Sequence, residues 1–215
     1  MCERSCTPIF LGFENKEKMA RRILCIGASL TEGFCGCTIH PYTNKLSSLL
    51  SRHGDFEIIN SGRSGETIEM IAQRLGKMLT KQNYEFIIIQ GGSNNLFSTD
   101  GDTIVRYVKK ALDIGLQSDA RKIGYINIPE MEFDGSLFEN KKRLHVNEQV
   151  KNYIDGNERL FLVDFSSKIP NTWKNSYFLQ APNDCLWSDN IHLNPSGYDK
   201  LGEVVYEQLI KYIQP

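Results

Sequence analysis

This chain lacks any apolar run of the roughly 18–20 residues that a membrane-spanning helix requires. Net charge is nearly absent too: 25 Lys and Arg stand against 26 Asp and Glu, for −1 at pH 7. That balance gives no general field to hold nucleic acid or an anionic membrane, and neither is expected as a partner. No secretory leader is expected either. The apolar stretch 8–13 is too short for one, and Glu14-Asn15-Lys16-Glu17-Lys18 follows where small residues would mark cleavage. These absences lead to the expectation of a cytoplasmic protein whose six cysteines stay reduced and free. Cys35-Gly36-Cys37 has no two-residue spacer of the kind a zinc or redox pair uses. No set of His, Cys and acidic residues has metal-ligand spacing, and the glycine turns match neither a P-loop nor a dinucleotide fingerprint. No metal or cofactor is expected.

What is present is an alternation. Apolar β-like runs at 23–26, 56–59, 86–89, 123–128 and 160–163 are separated by helical patterns, with no repeat or low-complexity tract between them. The first three runs are almost continuously apolar, as in parallel strands covered on both faces. Leu46, Leu49 and Leu50 mark one helix; Ile68, Ile71, Leu75 and Leu79 a second; Ile104, Val108, Ala111 and Leu112 a third. Leu144, Val150 and Ile154 mark a fourth, fainter one. The last helix has a clear start, with Asn194 as N-cap and Pro195 in the first turn, and Leu201, Val205, Leu209 and Tyr212 along one face. The pattern predicts an α/β fold: a single doubly wound parallel sheet of about five strands with helices on both faces. At 215 residues the chain suits one such domain, over 21–215, preceded by an arm at 1–20. The stretch 165–191 carries no clear strand and concentrates Trp173, Tyr177, Phe178 and Trp187, as a wall over a site or as packing on the sheet edge.

Four short polar blocks follow the β-like runs or precede the last helix: Gly27-Ala28-Ser29-Leu30-Thr31, Asn60-Ser61-Gly62-Arg63-Ser64-Gly65, Gly91-Gly92-Ser93-Asn94-Asn95 and Asp189-Asn190-Ile191-His192. In open parallel sheets ligands bind beyond the carboxyl ends of the strands, so Ser29, Gly62, Asn94, Asp189 and His192 can converge there. A serine hydroxyl needs a base within hydrogen-bond reach to act as nucleophile. Ser29 is the candidate nucleophile, the alternative being a helix cap. Of four histidines, His53 and His145 sit in polar helical contexts and His40 in a loop. Only His192 has a carboxylate three residues earlier in a non-helical turn. Asp189 can there fix the ring's tautomer and leave the second nitrogen for Ser29. A glycine N–H and an asparagine amide suit a site for a developing oxyanion, because both donate without adding charge.

The order serine, glycine, asparagine, histidine, in blocks of this composition over almost the whole chain, resembles the SGNH hydrolases, the GDSL-type esterases and lipases. The resemblance implies a flavodoxin-like strand order. It implies ester hydrolysis through an acyl-enzyme without a cofactor, and an oxyanion hole formed by the Ser29 N–H, Gly62 and Asn94. The expected partner is a small-molecule ester, with a short acyl group on a small molecule or sugar. Longer acyl chains, as in a lysophospholipase or thioesterase, and a catalytically impaired binding protein are the alternatives. Two positions depart from the family pattern. Ala28 replaces the aspartate of the first block, and Asn95 replaces the one that closes the third.

Overall fold

The structure, a computed structural model, describes residues 21–131, 137–171 and 185–213. The arm at 1–20, and Trp173, Tyr177 and Phe178, lie outside the described residues. The elements run β1 (Arg21–Gly27), α1 (Ser29–Glu32), β2 (Phe34–Cys35), β3 (Thr38–Ile39), α2 (Tyr42–Leu50), β4 (Phe56–Gly62) and α3 (Ile68–Leu79). They continue with β5 (Phe86–Gln90), α4 (Gly101–Leu116), β6 (Lys122–Ile126), α5 (Leu137–Asp155), β7 (Leu160–Val163), α6 (Phe165–Lys168) and α7 (Pro195–Ile213).

Five strands form one parallel sheet in the order β4-β1-β5-β6-β7, the flavodoxin-like order. β1 lies inside the sheet, with Ile23 opposite Ile58 on one side and Phe86 on the other. The chain winds outward from β1 in both directions. The carboxyl end of β1 is thus the topological switch point, where such sheets leave a crevice. The sixth-numbered strand stops at Ile126, two residues short of the sequence expectation. There the Asn127 amide turns aside to donate to Asp164 Oδ1 at 2.9 Å.

Successive residues of a strand face opposite ways, and β1 serves two cores by that rule. Leu24 and Ile26 join Ile68, Ile71 and Leu75 of α3, Val108 and Leu112 of α4, and Val150 of α5. Ile23 and Cys25 join Tyr42 and Leu46 of α2 and Leu201, Val205 and Leu209 of α7. The fourth helix differs from expectation in its face. Leu144 is 53% exposed, while Val146, Val150 and Ile154 are buried. The i, i+4, i+8 spacing of those three forms the stripe, and six residues from 144 to 150 carry a helix well off it. Trp187, open in sequence between a wall over the site and packing on the sheet edge, belongs to the core: it is fully buried, stacks on Phe165 and donates to Pro170 O at 3.0 Å. Cys25, Cys35 and Cys37 are free thiols. Among the described residues no helix is long and apolar enough to cross a membrane.

Candidate active site

β1 ends at Gly27, and Ser29 is the first residue of α1. Ala28 takes the N-cap position and makes no side-chain cap bond. It is 6% exposed and sits in the core with Ile68 and Ile71. Ser29 Oγ does not cap the helix. It lies 3.1 Å from His192 Nε2.

His192 is held by the turn that introduces α7. Asn194 caps that helix as expected, with its Oδ1 accepting from Gly197 N at 2.9 Å. Upstream, Trp187 bridges to Leu193, and Ser188 N donates to His192 O at 2.8 Å. Asp189 closes the turn. Its Oδ1 accepts from the backbone N–H groups of Ile191 (2.7 Å) and His192 (2.6 Å), and its Oδ2 lies 2.9 Å from His192 Nδ1. With the ring proton on Nδ1, the imidazole donates to Asp189 and leaves Nε2 to accept from the Ser29 hydroxyl. Burial pushes the Asp189 carboxyl up, but hydrogen bonds from the His192 ring and from the two backbone N–H groups outweigh it and hold it below the usual carboxylate range. The other face of the ring is closed by Phe34, whose ring centroid is 4.9 Å away in an edge-on contact. Phe34 is fixed in turn by the Tyr198 hydroxyl, which donates to its carbonyl at 2.6 Å. Burial pushes the Tyr198 phenol up, so the donor keeps its proton at neutral pH.

The remaining histidines are paired elsewhere: His40 with Asp199 (2.9 Å), His53 with the Tyr206 hydroxyl (2.8 Å) and His145 with Asp102 (2.7 Å). His192 is the one of the four whose second nitrogen meets a serine.

The polar groups of the middle blocks are distributed less evenly than the sequence suggests. Asn94 lies in the turn after β5, and its Nδ2 donates to Glu66 O at 2.9 Å, which leaves one amide hydrogen for a ligand. Gly62 ends β4, and its N–H donates to Asn60 Oδ1 at 2.9 Å. A Cβ at Gly62 would stand 2.0 Å from Glu32 N, so glycine here lets α1 lie directly on the strand end. Gly65 differs in both respects. It has φ +81°, space where a Cβ would go, and an N–H with no hydrogen bond among the described residues. The turn that carries it is tied to the helix of Ser29, since the Ser64 hydroxyl and N–H both donate to Glu32 Oε2.

The bracing roles of two residues escaped the sequence reading. Arg74 of α3 is 8% exposed. Its guanidinium grips Glu66 (2.5 Å at the shortest) and donates to Ser61 O at 2.7 Å and Gly27 O at 3.0 Å. One side chain thus joins the ends of β1 and β4 to the residue whose carbonyl holds Asn94. Asn95, 1% exposed, accepts from Ile68 N at 3.0 Å and donates to Glu69 Oε2 at 2.8 Å. An arginine inside an amphipathic helix pattern was the available signal for the first; for the second it was the departure from the family's third block, which did not reveal its partners.

The fold has relatives among solved structures. A lipolytic protein of the G-D-S-L family from Veillonella parvula superposes with a TM-score of 0.73 at 16% identity, covering 89% of this chain and 100% of its own. Est24, a carbohydrate acetylesterase from Sinorhizobium meliloti, gives 0.68 at 19% identity, with 89% and 99% covered. A family 3 carbohydrate esterase from Clostridium thermocellum gives 0.66 at 17%, with 90% and 97% covered. No curated protein matches the chain in sequence. The model of the GDSL-like lipase/acylhydrolase family matches residues 25–200, and the chain belongs to that family of ester hydrolases.

Proposed function

We propose that this protein is a serine esterase that cleaves short acyl groups from a small molecule or sugar, with Ser29 as nucleophile, His192 as base and Asp189 as the residue that orients it. The observation that carries the reading is the position of His192, which lies between Ser29 Oγ and Asp189 in one hydrogen-bonded line. Ser29 Oγ attacks the ester carbonyl carbon while its proton passes to His192 Nε2. His192 then gives that proton to the leaving alkoxide oxygen, and an acyl-Ser29 ester remains. Water, deprotonated by the same nitrogen, attacks the acyl carbon. Collapse releases the acid and returns the proton to Ser29 Oγ. The oxyanion of each tetrahedral state takes the Ser29 N–H, the free amide hydrogen of Asn94 and a second-block glycine N–H. For that last donor Gly65 is favoured over Gly62, whose N–H is already engaged with Asn60.

The short-acyl preference is supported by the β2–β3 hairpin, whose two-residue strands stand beside His192 and supply little material for a deep acyl tunnel. It is also in keeping with Est24 and the family 3 enzyme, both carbohydrate esterases. The impaired-protein alternative rested on Ala28 and Asn95. Ala28 fills core space and Asn95 caps α3, and neither interrupts the line from Ser29 to Asp189. The test is a series of chromogenic esters from acetyl to palmitoyl, with Ser29→Ala alongside. Activity should peak at acetyl to butyryl and vanish in the variant, together with labelling by a fluorophosphonate. Undiminished turnover in Ser29→Ala overturns the nucleophile, and a kcat/KM maximum at lauroyl or longer overturns the short-acyl preference.

A further inference from the structure

Asn95 stands where the family resemblance leads one to expect an aspartate, and its surroundings account for the exchange. α3 begins without help from its own N-cap, since Thr67 makes no side-chain cap bond. The first helical N–H, that of Ile68, is satisfied instead by Asn95 Oδ1, 27 residues downstream. The other end of the same amide donates to Glu69 Oε2. Both halves of a fully buried amide are therefore used, one as acceptor and one as donor. A carboxylate at position 95 could still accept from Ile68 N. It could not donate to Glu69, and two carboxylates would face each other at hydrogen-bond distance, where both cannot stay ionised.

The neighbouring residue makes this arrangement matter for the site. Ser93, Asn94 and Asn95 form a single 3-10 turn entered through Gly92 at φ +104°. The turn is fastened to the start of α3 at two adjacent points: Asn94 Nδ2 on Glu66 O, and Asn95 on Ile68 N and Glu69. Asn94 has one amide hydrogen left, and its direction depends on how that turn sits against the helix.

We propose that Asn95 and Glu69 are a positioning pair that aims the amide of Asn94, and that the neutral asparagine is matched to the acidic residue at position 69. The inference rests on the esterase reading above for its kinetic readout. Neither residue touches the substrate. The geometry they impose acts through Asn94, so its loss falls on kcat and leaves KM nearly unchanged.

The test exchanges the polarity of the pair. N95D places a carboxylate against Glu69; E69Q alone keeps an acceptor for Asn95; N95D/E69Q restores one donor and one acceptor in reversed roles. kcat and KM for 4-nitrophenyl acetate and the melting temperature are measured for parent and all three variants. N95D should lower kcat by about 10- to 100-fold, the scale of loss for a site group misplaced by ~1 Å, with KM within about twofold. E69Q should lose less than N95D, and N95D/E69Q should recover most of the kcat lost in N95D. If N95D does not fold, the double variant decides alone: near-parent kcat supports the pair, and low kcat in a folded protein overturns it. Recovery of melting temperature without recovery of kcat also overturns the positioning role, as does an N95D kcat equal to the parent's. Ser29→Ala separates the two readings. If it retains turnover, the nucleophile assignment has failed, whereas the reversal of melting temperature between N95D and N95D/E69Q is read without reference to any nucleophile.

Discussion

The guanidinium of Arg74 donates to the carbonyl oxygen of Gly27 at 3.0 Å, two residues before Ser29. Through the same group it holds Glu66, whose own carbonyl receives the Asn94 amide. The nucleophile candidate and the amide candidate, delivered by different strands, are thus referred to one buried cation.

Removing that cation should be severe. Arg74 and Glu66 expose only 10% and 11% of their side chains, and breaking a buried pair by deleting one partner costs about 3–5 kcal/mol. Arg74→Met is expected to lose stability on that scale in urea titrations. Arg74→Met/Glu66→Leu should lose less, because no charge is left buried alone. A single variant as stable as the parent would show that the ends of β1 and β4 do not need the clamp.

The two glycines of the second block can be told apart by alanine. Gly62→Ala drives a methyl group into the α1 backbone and should damage folding, seen as a lowered melting temperature and poor recovery. Gly65→Ala meets no atom. It strains only the positive φ, at a cost of about 1 kcal/mol. If Gly65 supplies an oxyanion donor, its alanine variant stays folded and loses kcat as the N–H direction shifts. Asn94→Ala should lower kcat by about 10²–10³, the usual loss for one such donor. A folded Gly65→Ala protein with parent kcat returns the role to Gly62.

Asp189 links the site to acid stability. Its carboxyl is held below the ordinary range in the folded protein, so the unfolded chain binds the proton more readily. Its contribution is fully present above the unfolded value near 3.9 and is lost as pH falls through the lower folded value. Below about pH 5 the stability difference between parent and Asp189→Asn should shrink as the carboxylate takes up its proton. A gap that widens over that acid range contradicts the direction of the shift. The same variant should lose about 10²–10⁴ in kcat, since an amide no longer selects the Nδ1–H tautomer of His192.

The strands were readable because each is a compact apolar run between turn residues. Their order was not, since parallel pairing leaves no mark in a local pattern; it came from the block resemblance. Ser29, Asp189 and His192 were legible as residue types at telling positions beside strand ends and a helix start. The choice between Gly62 and Gly65 was not, because both are glycines after the same strand, and what separates them is the contact of Gly62 with α1 and the capture of its N–H by Asn60. Trp187 stayed open between a wall over the site and packing on the sheet edge for a related reason. An aromatic residue in an irregular segment reads as surface until its stacking partner, Phe165, is in place. Arg74 and Asn95 act entirely through residues brought near by the sheet, and only the folded chain displays them.

Ser29 and His192 are 163 positions apart, and the turn that carries His192 leaves the ribosome after every strand of the sheet. A nascent or truncated chain that ends before 189 carries the serine, both glycines and Asn94, yet has no imidazole to pair with the serine. Ester turnover in a refolding experiment would then trail the recovery of helical circular dichroism, because it counts only molecules in which the segment carrying His192 has docked beside β1.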